Sequence, residues 1–138
     1  MNVPNREIFD GSILENLTMG REEIPIGEVQ SVLKQLELSS EIAALTNGLD
    51  TQMVSAGKQF SVSFTTKVAL ARLIIAKPKL LIFSDSLSNL GQKDRLKVVK
   101  LLTDPFQPWT LIVLSNDPSM MAACSQVLIM EDGQLKKQ

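Results

Sequence analysis

The chain has no histidine, no tyrosine and one cysteine among its 138 residues. Without histidine, Ser-His-Asp and Cys-His catalysis are excluded. One thiol without an imidazole also excludes a structural zinc site of ordinary type. Cys124, in the stretch MMAAC, reads as a small buried hydrophobe in a reduced, cytosolic setting. Neither sign of charge is in excess, with 14 basic residues against 15 acidic ones. Nothing electrostatic therefore favours nucleic acid or an anionic membrane surface. No apolar run reaches the roughly 18 to 20 residues that span a bilayer; the longest, residues 68 to 76, is interrupted by Arg72. The opening MNVPNREIFDG lacks the basic-then-apolar layout of a secretion signal. What is present, 44% apolar and 21% charged residues, suits one globular domain or a piece of one, with a single core.

Local signals place the elements. Ser12-Ile13-Leu14-Glu15 has capping-box spacing, predicting a short helix that stops at Gly20. Residues 25 to 38 set Ile26, Val29, Val32, Leu33 and Leu36 on one helical face. Ser39 or Ser40 is expected to cap a third helix that ends before Asn47-Gly48. Residues 48 to 57 are polar and irregular, after which Phe64, Val68, Ala71 and Ile75 form a core stripe. Residues 80 to 83 are a continuous apolar run of strand length and residues 109 to 114 read as a second buried strand; the continuous apolar runs 111 to 114 and 127 to 130 predict burial on both faces. Between the first two strands, residues 92 to 103 read as a helix through Leu96, Val99 and Leu102, with Lys93, Asp94, Arg95, Lys97 and Lys100 on a solvated face. Asp117-Pro118 is a cap and first-turn pair, and residues 127 to 135, with Asp132-Gly133 as the turn, read as a hairpin. Strand and helix alternate through the second half, which argues an α/β fold with parallel pairing.

The motifs carry more than the periodicity does. Val3-Pro4-Asn5 is followed by Ile8-Phe9-Asp10-Gly11-Ser12-Ile13-Leu14-Glu15-Asn16-Leu17, then Gly48-Leu49-Asp50-Thr51, Ala69-Leu70-Ala71-Arg72 and Pro78-Lys79-Leu80-Leu81-Ile82. In this order and spacing they resemble the later part of an ATP-binding cassette, the nucleotide-binding domain of ABC transporters. ILENLTMG is most similar to the toxin- and peptide-export branch. The resemblance implies a P-loop NTPase-like partial α/β domain, residues 1–138. A helical and signature region, about 12–76, would precede a Walker-B-like region, 77–138, with a mostly parallel sheet and flanking helices.

The working positions of the family are altered. The resemblance places Phe60-Ser61-Val62-Ser63-Phe64 at the signature loop L-S-G-G-Q, making Ser61, Val62, Ser63 and Phe64 the nucleotide-binding positions. A branched valine there hinders the close backbone approach that glycines give to a phosphate. Ser84 stands at the Walker B aspartate, the metal position, and a neutral serine is a poor ligand for Mg²⁺. Asp85 stands at the catalytic glutamate, Asn116 at the switch histidine and Asn5 at the Q-loop glutamine. Asn116 can hydrogen-bond but cannot titrate. The phosphate loop G-x-x-x-x-G-K-[ST] is not in the chain. Its nearest string, Ala56-Gly57-Lys58-Gln59, has Gln52 at the first glycine and Gln59 at the hydroxyl.

Two functions are therefore expected. One is a degenerate nucleotide-binding-domain-like subunit of an ABC transporter, associated with ATP-driven export and not hydrolysing ATP itself. The other is a non-catalytic interaction or regulatory module that keeps the cassette scaffold. No cofactor is expected for the chain alone, although ATP and Mg²⁺ are the family's. The resemblance implies a cytoplasmic location at the inner face of a membrane. Partners would be a second copy or another cassette, and a membrane-spanning transporter subunit. The family's phosphate-loop strand lies between the strands matched by residues 111 to 114 and 127 to 130, and this chain lacks it. Edge pairing with another copy, or the two strands moving together, is expected to close that gap.

Overall fold

The computed structural model describes residues 8–84 and 86–138; Asn5 and Asp85, and with them Val3-Pro4, lie outside the described residues. A helical half is followed by an α/β half. Strand β1 (Gly11–Ser12) leads into α1 (Ile13–Thr18), then α2 (Ile26–Gln35), α3 (Ser39–Ala43), β2 (Gln52–Met53) and α4 (Val62–Ile75). The second half runs β3 (Leu80–Ser84), α5 (Gln92–Leu102), β4 (Thr110–Leu114), α6 (Pro118–Ala123), β5 (Leu128–Glu131) and β6 (Gln134–Lys137).

The capping box forms as its spacing predicts. The Glu15 N–H donates to Ser12 Oγ at 2.9 Å, and the Ser12 N–H donates to the Glu15 carboxylate at 2.7 Å. β1 pairs antiparallel with β2, opposing Gly11 to Met53, and this pins residues 48 to 57 onto the start of α1. Met53 is fully buried there, although its polar neighbourhood in the sequence gave no sign of it. Gly57 closes the adjoining turn at φ +74°, where an added Cβ would lie 2.9 Å from Thr65 Cγ2. Glycine alone fits both the backbone angle and the space.

α4 is the central helix. Phe64, Val68, Ala71 and Ile75 are core, as their stripe predicts, but Thr65, Thr66 and Lys67 are buried as well. α1, α2 and the 3₁₀ turn at Ser86–Asn89 all pack on α4. Two residues of the resemblance motifs hold α1 to it. Arg72 donates through Nε to the Asn16 carbonyl at 2.7 Å and through a terminal nitrogen to Asn16 Oδ1 at 3.2 Å. The buried Asn16 side chain also accepts from the Phe9 N–H at 3.1 Å and donates to the carbonyls of Phe9 and Ser12, each at 3.0 Å. The Arg72 guanidinium lies 5.6 Å from the Phe9 ring centroid, completing the knot.

Several expectations are corrected. Ser39 and Ser40 lie inside α3, whose N-cap is Leu38 with no side-chain hydrogen bond. Ile26 and Leu96 face solvent, 51% and 47% exposed, and Val98 takes the core position on α5 that Leu96 was expected to fill. On α5, Lys93, Lys97 and Lys100 are exposed as expected, but Asp94 and Arg95 are half-buried, and three of the five charges enter ion pairs. Asp94 meets Lys67 at 3.3 Å, Arg95 meets Asp117 at 3.5 Å and Lys97 meets Glu37 at 2.6 Å. The Lys97 hydrogen bond, reinforced by its charge, holds the exposed Glu37 carboxyl below its ordinary range.

β3 and β4 pair in parallel, Ile82 opposite Ile112, and β5 and β6 form an antiparallel hairpin turned by Asp132 and Gly133, both at positive φ. The strands are not buried on both faces. β3 alternates between buried and exposed, and every residue of the hairpin strands is exposed. Nor do β4 and β5 come together, since they belong to separate two-stranded sheets. A continuous apolar run predicts two covered faces, and here the described chain covers only one.

Candidate functional site

Parallel in-register pairing brings the C-terminal ends of β3 and β4 side by side, with Ser84 opposite Leu114. In an open α/β sheet this end is where ligands are bound. Ser84 is the last residue of β3, is exposed, and engages in an interaction of its own. Asn116 follows β4 by two residues and is exposed in the loop before α6. Next to it, Asp117 caps α6 by accepting from the Ser119 N–H at 2.9 Å. Ser84 and the Asn116 loop thus share one end of the sheet.

The signature positions form the first turn of α4. Ser61 is the N-cap, and its Oγ accepts from the Phe64 N–H at 3.1 Å. Val62 opens the helix with its side chain 47% exposed. Ser63 does not cap; its Oγ lies 3.4 Å from Asp94 Oδ2. Phe64 is 4% exposed and stacks on Phe60 with ring centroids 4.6 Å apart. Glutamine, the family's residue at this position, would offer polar atoms; Phe64 offers a ring to the core.

Asp94 was not singled out as a site residue, yet it organises this corner. Standing in the first turn of α5, it holds both Ser63 and the buried ammonium of Lys67, so the first turns of α4 and α5 are joined. Sequence spacing gave no hint of it, because Lys67 and Asp94 lie on different helices. Among the described residues, no group of three or more carboxylate or thiol side chains is placed to hold a metal ion. No helix among them is long and apolar enough to cross a membrane.

Comparison with known proteins places these observations. No protein-family profile matches the chain. It is 30% identical over 128 residues to the uncharacterized ABC transporter ATP-binding protein YfiB of Bacillus subtilis, covering 93% of this chain and 22% of that protein. The mating factor M secretion protein mam1 of Schizosaccharomyces pombe is 28% identical over 130 residues, 94% of this chain and 10% of mam1. Among solved structures, a bacterial Atm1-family ABC exporter with ATP bound matches at a TM-score of 0.82 and 25% identity, over 94% of this chain and 23% of the exporter chain. The chain therefore spans under a quarter of the length of these relatives. Sequence and fold are together those of an ABC-exporter ATP-binding domain over the part of it that this chain matches.

Proposed function

We propose that this chain is a degenerate nucleotide-binding-domain-like component of an ABC transporter, associated with ATP-driven export but not itself hydrolysing ATP. The observation that carries the reading is a division of labour among its residues. Those that lock α1 to α4, Asn16 and Arg72, keep the family's identity and are hydrogen-bonded to each other. Those at the phosphate-facing positions do not suit Mg-ATP. Ser84 offers a hydroxyl where a hard dication calls for a carboxylate. Val62 projects at the helix N-terminus, and the Phe64 amide is already satisfied by Ser61. Phe64 itself is turned into the core. With no phosphate cradle in the sequence, a carboxylate at Asp85 has no positioned phosphoryl group to act on.

In this reading the chain is a single partial domain, its helical and signature portion preceding its Walker-B-like portion, and it works at the cytoplasmic face of a membrane beside transporter subunits. The motif ILENLTMG supports a peptide or toxin as the exported molecule. Phosphate release from Mg-ATP by the 138-residue chain is expected to match a buffer blank. Restoring glycine at Val62 is expected to leave it there, because the signature turn serves a nucleotide held by a partner cassette. Turnover by the Val62→Gly chain alone would refute the reading.

A further inference from the structure

Six residues other than glycine take a left-handed backbone among the described residues. Met19, Glu37 and Lys77 do so singly where α1, α2 and α4 end, and Asp132 does so in the hairpin turn. Helix ends and tight hairpins call for that angle. Ser55 and Ala56 have neither reason. They follow one another at φ +52° and +61°, and Gly57 extends the run at +74°. A left-handed backbone brings Cβ too close to the following carbonyl, so residues with side chains adopt it one at a time rather than in succession. Two in a row store strain that the surrounding contacts must hold in place.

Those contacts come from both sides of the turn. The Ser55 N–H donates to Asp10 Oδ1 at 2.9 Å, a charged clip reaching across 45 residues. The Gln59 side chain bridges the base, donating through Nε2 to the Gln52 carbonyl at 2.7 Å and accepting from the Val54 N–H at 3.4 Å. Gly57 is the buried pivot, wedged so closely against Thr65, Ile8 and Met53 that no Cβ fits. Ser55, Lys58, Gln59 and the clip Asp10 are exposed, so packing does not fix the upper part of the turn. The turn feeds the signature positions directly. The Phe60 N–H donates to the Gly57 carbonyl at 3.0 Å, Phe60 stacks on Phe64, and Ser61 caps α4. Asp10 itself immediately precedes β1, on the chain that follows the Q-loop position Asn5. A shift of that segment therefore has a route to the start of α4 that does not pass through the core.

We propose that residues 54–59 are a conformational switch, clipped in a strained form by the Asp10 carboxylate, and that releasing the clip loosens the signature turn at residues 60–64. The switch is a bistable element biased by one charged contact. It does not rest on the nucleotide reading and would operate whether or not the chain binds ATP. Amide hydrogen exchange on the 138-residue chain tests it. Asp10→Ala should speed exchange at Ser55, Phe60 and Phe64 about tenfold, while Val68 and Leu70, further along α4, keep the parent rate. Asp10→Asn retains an acceptor oxygen and should stay within about threefold of the parent. Adding Ser55→Gly and Ala56→Gly to Asp10→Ala should return Phe60 and Phe64 to the parent rate, because glycine takes the left-handed angle without strain. Unchanged rates in Asp10→Ala overturn the proposal, as does quickening confined to Ser55, which would leave the signature turn uncoupled. Quickening throughout α4 overturns it too, by making Asp10 a support of the whole fold. A glycine variant that fails to rescue Phe60 and Phe64 would remove strain as the stored element and overturn it as well.

Discussion

Asn16→Ala is expected to be the most damaging single truncation of a polar side chain in this protein, lowering stability by about 3–4 kcal/mol. The side chain is fully buried and makes four hydrogen bonds, two to Phe9, one to Ser12 and one with Arg72. Alanine satisfies none of them. Each buried group left without a partner costs roughly 1–3 kcal/mol, with partial relief from local relaxation. The loss is a large share of the 5–15 kcal/mol typical of a domain, and the thermal midpoint should fall by about 10–15 °C. Asn116→Ala, at an exposed loop position, should shift it by no more than about 0.5 kcal/mol equivalent. Thermal melts of the two variants side by side check the contrast. Equal midpoints would mean that α1 is not held to α4 through Asn16.

Asp94→Ala is expected to rank next, at about 2–3 kcal/mol. Its carboxylate is 3.3 Å from Lys67 Nζ, and the Lys67 side chain is 6% exposed against 32% for Asp94. Removing Asp94 strands an ammonium inside the protein, which costs more than the pair itself contributes. Because Asp94 is partly solvated, the estimate sits below the range for fully buried pairs. Lys67→Met added to Asp94→Ala should recover most of the loss, since a flexible apolar side chain fills the same slot without a charge. Glu37→Gln, which breaks the exposed pair with Lys97, should leave the melting curve unchanged. Chemical denaturation of the three variants is the check. A double variant no better than Asp94→Ala would show that packing around Lys67, rather than its charge, is at stake.

Features written in a few adjacent residues were legible in the sequence. The Ser12–Glu15 box, the Asp117-Pro118 start of α6 and the Asp132-Gly133 turn each rest on backbone groups within four positions, and each forms as expected. Contacts across long separations were not legible. Arg72 and Asn16 stand 56 residues apart, and periodicity says nothing of whether they meet. For α4 the stripe was correct but incomplete, because a helix packed on several sides also buries Thr65, Thr66 and Lys67. The strands misled in the opposite direction. Leu80, Ile82, Ile112 and Leu114 look like two-sided core, yet nothing in the described chain covers them. At the candidate site, motif order located Ser84, Asn116 and the Ser61–Phe64 turn, while Asp94, which ties that turn to α5, carried no motif at all.

The central claim is that this chain keeps the cassette's scaffold without its grip on nucleotide. Calorimetric titration of the 138-residue chain with Mg-ATP tests it most directly. The account predicts no binding tighter than about 100 µM, in keeping with Ser84 at the metal position and no phosphate loop in the sequence. A dissociation constant near 1 µM, about −8 kcal/mol of binding free energy, would contradict it.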